Sequence, residues 1–145
     1  MRNFKAIFEA TIALGDVTIL VGPNGSGKSS LLQAIHWSAR AASYVLPKNT
    51  KEMISFERLD YLPSSEPLRM AHKSELKSET NAPPTEVVFV HTPVNDEAVQ
   101  VTVKIRAARN KGGITVSMDG GTAVTPYKQR VQFITAYIPG LAGLS

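Results

Sequence analysis

The 145-residue chain contains no cysteine. That excludes disulfides, thiolate metal sites and a cysteine nucleophile, and it fits a reducing compartment. No stretch reaches the about 18 apolar residues that a membrane-spanning helix needs, and the N-terminal Met1-Arg2-Asn3-Phe4 lacks the apolar core of a secretory signal. The expectation is therefore a cytoplasmic protein with no membrane partner. Histidine is scarce: His36, His72 and His91 stand far apart, and no metal-ligand spacing joins them. Charge of one sign is also limited. Sixteen Lys and Arg against twelve Asp and Glu leave a net +4, which permits a nucleic-acid partner without requiring one. What remains is a chain with an ordinary 43% of hydrophobic residues. Its length suits about one domain, large enough to bury a core without covalent or metal staples.

The informative stretch is Gly22-Pro23-Asn24-Gly25-Ser26-Gly27-Lys28-Ser29, which has the pattern glycine, four residues, Gly-Lys-Ser. Each residue type has a physical task in phosphate binding. Glycines at 22, 25 and 27 let the backbone curl tightly and turn its amides inward, some at positive φ. Such amides form a nest of donors for anionic oxygens, and a helix starting near Lys28 adds the positive end of its dipole. Lys28 reaches the β- and γ-phosphates and is the candidate catalytic residue. Ser29 offers a hydroxyl to Mg²⁺, which prefers oxygen ligands, and Ser30 follows in the same turn. Context supports the motif. Residues 16–21 (Asp-Val-Thr-Ile-Leu-Val) read as a buried strand of a mostly parallel sheet. Residues 28–43 read as a helix with Leu31, Leu32, Ile35, Ala39 and Ala42 on one apolar face and Trp37 on the opposite side, packed against a second layer.

Three segments are expected. Residues 1–47 hold the strand and helix of the loop, with residues 4–14 as a further strand candidate turning at Gly15-Asp16. Residues 48–85 form a long irregular connection broken by Pro63, Pro67, Pro83 and Pro84, with one short helix around residues 65–76. Residues 86–145 read as an antiparallel sheet. There Val99, Val101, Val103 and Ile105 alternate with Gln100, Thr102, Lys104 and Arg106. A turn with Gly112-Gly113 leads to the alternation of Ile114, Val116 and Met118. Gly120-Gly121 turns again, and residues 129–138 form a last strand. The expected class is α/β: a P-loop NTPase core with an appended antiparallel sheet.

Residues 18–35 (Thr-Ile-Leu-Val-Gly-Pro-Asn-Gly-Ser-Gly-Lys-Ser-Ser-Leu-Leu-Gln-Ala-Ile) closely resemble the N-terminal part of SMC/RecF-like ATPases. This ABC-class group includes chromosome-organising, recombination-repair and OLD-type defence ATPases. Asn3-Phe4-Lys5 resembles the element these proteins carry shortly before the loop, whose basic residue approaches the nucleotide. The resemblance implies Mg-ATP as ligand, a partial ABC-ATPase-like head and ATP-driven homodimerisation of heads. It also implies a Walker B strand ending in Asp-Glu, a Leu-Ser-Gly-Gly signature and a Q-loop glutamine. None can be placed. Residues 87–90 (Val-Val-Phe-Val) run into His91-Thr92, residues 137–145 hold no glutamine, and residues 118–122 (Met-Asp-Gly-Gly-Thr) are better read as a hairpin turn.

The reading that follows is the N-terminal lobe of a larger ATPase in DNA repair, chromosome maintenance or phage defence, binding ATP and hardly hydrolysing it alone. DNA is a candidate partner, through Lys104, Arg106, Arg109 and Lys111 near the hairpin, although a solvated strand face explains these charges as well. The alternatives are a short ATP-binding regulatory or interaction module without hydrolysis, and the nucleotide-binding subunit of an ABC transporter. The latter would reach its Q-loop much sooner after the helix.

Overall fold

Period-two hydrophobicity in the C-terminal half dictates a sheet with one dry face, and such a sheet forms. The computed structural model describes residues 1–72, 83–92, 97–107, 112–130 and 134–138. Strands β1 (Arg2–Phe4), β2 (Ile7–Glu9), β3 (Lys51–Ser55), β4 (Thr85–His91), β5 (Val99–Ala107) and β6 (Gly113–Asp119) make a six-stranded sheet in the order β2-β1-β4-β5-β6-β3. Every pairing is antiparallel. Val101, Val103 and Ile105 are buried while Gln100, Lys104 and Arg106 are exposed. The register sets Val103 opposite both Val87 and Met118, and Ile105 opposite Val116, so one face is continuously apolar.

Helix α1 (Lys28–Ala42) lies on that face. Leu31, Ala34, Trp37, Ser38, Ala39, Ala41 and Ala42 are its buried residues, and the spacing of three and four is what a helix needs to cover a sheet. Trp37 is 1% exposed and sits beside Phe4 of β1 with ring centroids 5.6 Å apart. A run of 3₁₀ turns over Gly121–Arg130 closes one side: Val124 and Tyr127 are buried, and Tyr127 meets Phe89 at 5.4 Å. The buried Lys128 donates to the carbonyls of Pro47 (3.1 Å) and Asn49 (2.7 Å), which ties this run to the turn after α1.

Several sequence expectations need correction. The apolar face of α1 is only partly the one proposed: Leu31, Ala39 and Ala42 are buried, but Trp37 is also central to the core, Leu32 is 48% exposed and Ile35 is half-buried. The helix packs on the antiparallel sheet, which selects the 31/34/37/38/41 stripe. The connection after α1 is not wholly irregular, because β3 adds to the sheet edge in register with β6, with Ile54 opposite Ile114. Its pattern was hidden because Ile54 is the one buried residue of the strand, between an exposed Met53 and a half-buried Ser55. The short helix expected around residues 65–76 is a 3₁₀ turn at Pro67–Met70, and residues 73–82 lie outside the described residues. The strand expected over residues 129–138 is not found among the described residues: 129 and 130 end the 3₁₀ run, 134–138 pair with no strand, and 131–133 lie outside the described residues. The Gly120-Gly121 turn leads into that run rather than into a hairpin.

The largest departure is at residues 16–21, where no strand forms. Val17, Ile19 and Val21 are 84%, 80% and 89% exposed. A strand of a parallel core needs neighbours on both edges, and among the described residues this segment has none. A parallel core is therefore absent from the described fold, which is mixed α/β around one antiparallel sheet.

Gly113 tests this architecture. A Cβ there would lie 2.3 Å from the Ile54 carbonyl oxygen, so β3 would have to part from β6. Gly113→Ala is expected to lower unfolding free energy by about 1–3 kcal/mol in urea titration, as overpacking does. Arg106→Ala, on the exposed face, should stay within about 0.5 kcal/mol of the parent.

Candidate functional site

The loop of residues 22–29 is carried by the N-terminus of α1. Gly27 is the N-cap residue, with φ 91° and ψ 4°, and Gly25 has φ 81°. Both are left-handed conformations that cost an L-residue about 1–2 kcal/mol, so glycine is required at these two places. No side chain caps the helix, and its first turn contains no acidic residue. The amides of Lys28, Ser29 and Ser30 therefore lack both an intrahelical acceptor and a capping one. The dipole end stands uncompensated.

Lys28 crosses the mouth of this loop. Its ammonium donates to the carbonyl oxygens of Gly22 (2.6 Å) and Pro23 (2.7 Å) and lies 3.2 Å from the Ser26 hydroxyl. All three partners are neutral oxygens, so the positive charge has no counter-ion in these contacts. The loop is itself braced by the Ser26 amide, which donates to Pro23 O at 3.3 Å. Gly22, Pro23, Asn24, Gly25, Ser26 and Ser29 are exposed, while Gly27, Lys28 and Ser30 are half-buried. The sequence-proposed residues thus come together in one turn, with Ser29's hydroxyl accessible on the first turn of α1. An uncapped helix end, inward glycine turns and an ammonium held only by neutral groups form a fitting cradle for a polyphosphate. Ser29 would hold a hard cation, and Lys28 would offset charge on the transferred group.

Lys5 belongs to the same neighbourhood, whereas Arg2 does not. Arg2 pairs with Glu9 at the surface, 2.8 Å away. Lys5 sits in the two-residue turn between β1 and β2 with φ 46°, a position where glycine is usual. The strain is held by four bonds. Its amide donates to Met70 O (3.1 Å), and its carbonyl accepts from His72 Nδ1 (2.7 Å). Its ammonium donates to Gln33 Oε1 (2.7 Å) and Pro63 O (2.6 Å). Burial pushes the Lys5 ammonium below its ordinary pKa. The Lys5 ammonium is thus turned onto α1 and is not a solvated surface charge.

Sequence reasoning missed the polar stripe on α1. Ser29, Gln33, His36 and Arg40 recur at helical spacing on one face, and that spacing was the available signal. Gln33 holds Lys5 and approaches the Tyr137 hydroxyl at 3.5 Å. His36 Nδ1 lies 2.8 Å from Thr135 Oγ1, and its ring meets Tyr61 edge-on at 4.5 Å. Arg40 pairs with Asp60. Residues 134–138 are thus held by the inward Thr135 and Tyr137, while Ile134 and Ile138 are 74% and 88% exposed. Of the basic residues near the hairpin, Lys104 pairs with Glu86 at 3.3 Å, Arg106 is exposed, and Arg109 and Lys111 lie outside the described residues.

A family model described as an AAA domain matches residues 1–138. The chain belongs to the AAA domain family. This makes the region AAA-type and P-loop ATPase-like, with a nucleotide-binding role and, for the family in general, use of Mg²⁺ with the nucleotide. No curated protein and no solved structure matches the chain. Among the described residues of this AAA domain, no group of three or more His, Asp or Glu could hold a metal ion by itself, and no helix is long and apolar enough to cross a membrane.

The aromatic cluster beside the stripe has a measurable signature. Burial, followed by the neighbouring Tyr137, pushes the Tyr61 hydroxyl up to about 12, and that hydroxyl is shielded from solvent without a hydrogen-bond partner. The folded AAA domain then keeps this proton where the unfolded chain has lost it. The resulting stability is full below pH 10 and is lost as pH rises from 10 through about 12. Tyr61→Phe should flatten that part of the stability–pH profile. An unchanged profile would contradict the assigned environment.

Proposed function

We propose that this chain binds Mg-ATP through residues 22–29, as the ATP-binding lobe of an SMC/RecF-like ATPase. The observation that carries the reading is the Lys28 ammonium, held across the loop mouth by Gly22 O, Pro23 O and Ser26 Oγ with no carboxylate among them. A polyphosphate offers that charge a counter-ion, and the uncapped first turn of α1 offers the anion its amides. Ser29 supplies one oxygen to the metal ion.

The lobe reading rests on a second observation. Val17, Ile19 and Val21 alternate with Thr18 and Leu20, and all three are exposed. Ile134 and Ile138 are likewise exposed on residues 134–138, where the half-buried Thr135 and Tyr137 alternate with them. Two strand-like segments flank the loop helix with bare apolar faces, as the cut surface of a parallel core would. A further polypeptide half supplying strands between or beside them would bury these residues, and it would bring the carboxylate that activates water. Neither a water-activating Asp-Glu pair nor a signature segment accompanies the loop, so the isolated chain binds nucleotide with little turnover. Dimerisation of heads and contact with DNA belong to the complete assembly in this reading.

Calorimetric titration of Mg-ATP tests the proposal, with phosphate release followed in the same sample. Saturable binding is expected for the parent chain, with at least about tenfold weaker binding for Lys28→Ala, since a charge-assisted contact contributes about 1.5–3 kcal/mol. Phosphate release should stay near background. Robust turnover abolished by Lys28→Ala would overturn the lobe reading, and equal binding by both proteins would overturn the site.

A further inference from the structure

The phosphate loop carries a second chemistry that anion binding does not use. Of the six asparagines in the chain, Asn24 alone precedes a glycine. The side-chain amide carbon of an asparagine can be attacked by the backbone nitrogen of the next residue, and glycine, lacking a Cβ, hinders that attack least. Residues 23–26 form a turn closed by the Ser26 amide on Pro23 O at 3.3 Å, with Asn24 and Gly25 at its centre and Gly25 at φ 81°. The amide between the two central residues of such a turn takes no part in the closing bond. Among the described residues, neither the Gly25 amide nor the Asn24 side chain makes a hydrogen bond. Both residues are exposed, and a Cβ built on Gly25 would meet nothing within 4 Å. Nucleophile and electrophile thus adjoin, with neither tied down and no wall around them.

Comparable positions elsewhere in the fold lack this freedom. The Asn49 side chain donates to Glu52 Oε2 at 2.8 Å and precedes the β-branched Thr50. Asn3 precedes Phe4, which is fully buried in the core. Asp119-Gly120 is the acidic counterpart of the pair, and there a Cβ on Gly120 would lie 2.8 Å from Gln100 O, so the backbone is hemmed in.

We propose that Asn24 is a self-modification site, at which spontaneous deamidation places a carboxylate in the phosphate loop and weakens its hold on nucleotide. In the reaction the Gly25 backbone nitrogen loses its proton and bonds to Asn24 Cγ, and the Cγ–Nδ2 bond breaks with loss of ammonia. Water then opens the succinimide ring at either carbonyl, which leaves aspartate or isoaspartate at position 24. The isoaspartate product also adds a methylene to the loop backbone. Water is the one co-reactant. The new charge lies one residue from Pro23 O, which accepts from the Lys28 ammonium at 2.7 Å. Lys28 thereby gains a counter-ion from its own loop, and a bound polyphosphate gains a repelling neighbour. Bound nucleotide draws the loop amides onto its phosphates and slows the conversion, so an occupied loop is protected and one left long without nucleotide loses affinity. These consequences for binding rest on the nucleotide reading; the conversion itself does not.

The test ages the full chain at mildly alkaline pH, with and without saturating Mg-ATP, beside a sample unfolded in denaturant, and maps each by tryptic digestion and mass spectrometry. Cleavage after Lys5 and Lys28 releases residues 6–28, in which Asn24 is the only side-chain amide. The mass gain of amide-to-acid conversion in that peptide therefore arises at Asn24. It should appear in the folded chain on the time scale of the unfolded one, while Asn3 and Asn49, followed with a second protease, stay intact. Saturating Mg-ATP should slow it at least about tenfold, in step with the small fraction of free loop. Asn24→Gln, which would have to close a larger ring, should stay unconverted. Asn24→Asp should bind Mg-ATP at least about tenfold more weakly than the parent. No conversion in the folded chain within the time the unfolded chain takes would overturn the proposal. So would equal rates with and without bound Mg-ATP, or equal affinities of the parent and Asn24→Asp. Failure of the parent itself to bind Mg-ATP would instead overturn the nucleotide reading, with the peptide map still deciding the modification.

Discussion

Trp37 against Phe4 is the contact on which the candidate site depends. It fixes the rotation of α1 on the sheet, and that rotation decides which residues face the core and which face the loop. With Trp37 inward, the stripe of Ser29, Gln33, His36 and Arg40 turns toward Lys5, Asp60, Tyr61 and Thr135. The same placement sets the helix N-terminus, with its left-handed Gly27, at the end of the exposed segment 17–21. Large core aromatics hold geometry well, because a shift of the ring disturbs many small contacts at once.

The sheet and the loop meet different physical demands. Alternating Val101, Val103, Ile105, Val116 and Met118 bury an apolar face and need no ligand to do so. Residues 22–29 leave donors and a positive charge without charged partners, an arrangement that gains from an anion. The strained turn at Lys5 links the two. A non-glycine residue at φ 46° persists because bonds from Met70, His72, Gln33 and Pro63 over-determine it. The connection that looked irregular in sequence therefore clamps a cation onto the stripe that descends from Ser29.

The sequence was most readable where local rules decide the structure. The glycine spacing of the loop, the extent of α1 and the β5–β6 hairpin all follow from periodicity and turn chemistry. It was less readable where a distant partner decides. β3 has one buried residue, Ile54, and becomes a strand only because β6 offers an edge. The buried stripe of α1 was misjudged at Leu32, which is apolar and yet 48% exposed, and at Trp37, which is central to the core. Val17, Ile19 and Val21 have strand chemistry but no strand, since hydrogen-bonded neighbours are missing among the described residues. In each of these places tertiary pairing outweighs propensity. The polar stripe was legible in principle: residues 29, 33, 36 and 40 share a helical face, and only their partners were out of reach.

The central claim is that residues 22–29 cradle phosphate. Amide NMR of the labelled chain during titration with Mg²⁺ and a non-hydrolysable ATP analogue tests it most directly. The account predicts saturable shifts concentrated on the amides of Gly25, Gly27, Lys28 and Ser29, with β5 and β6 unmoved. Saturable shifts that map elsewhere, leaving those four amides in place, would contradict it.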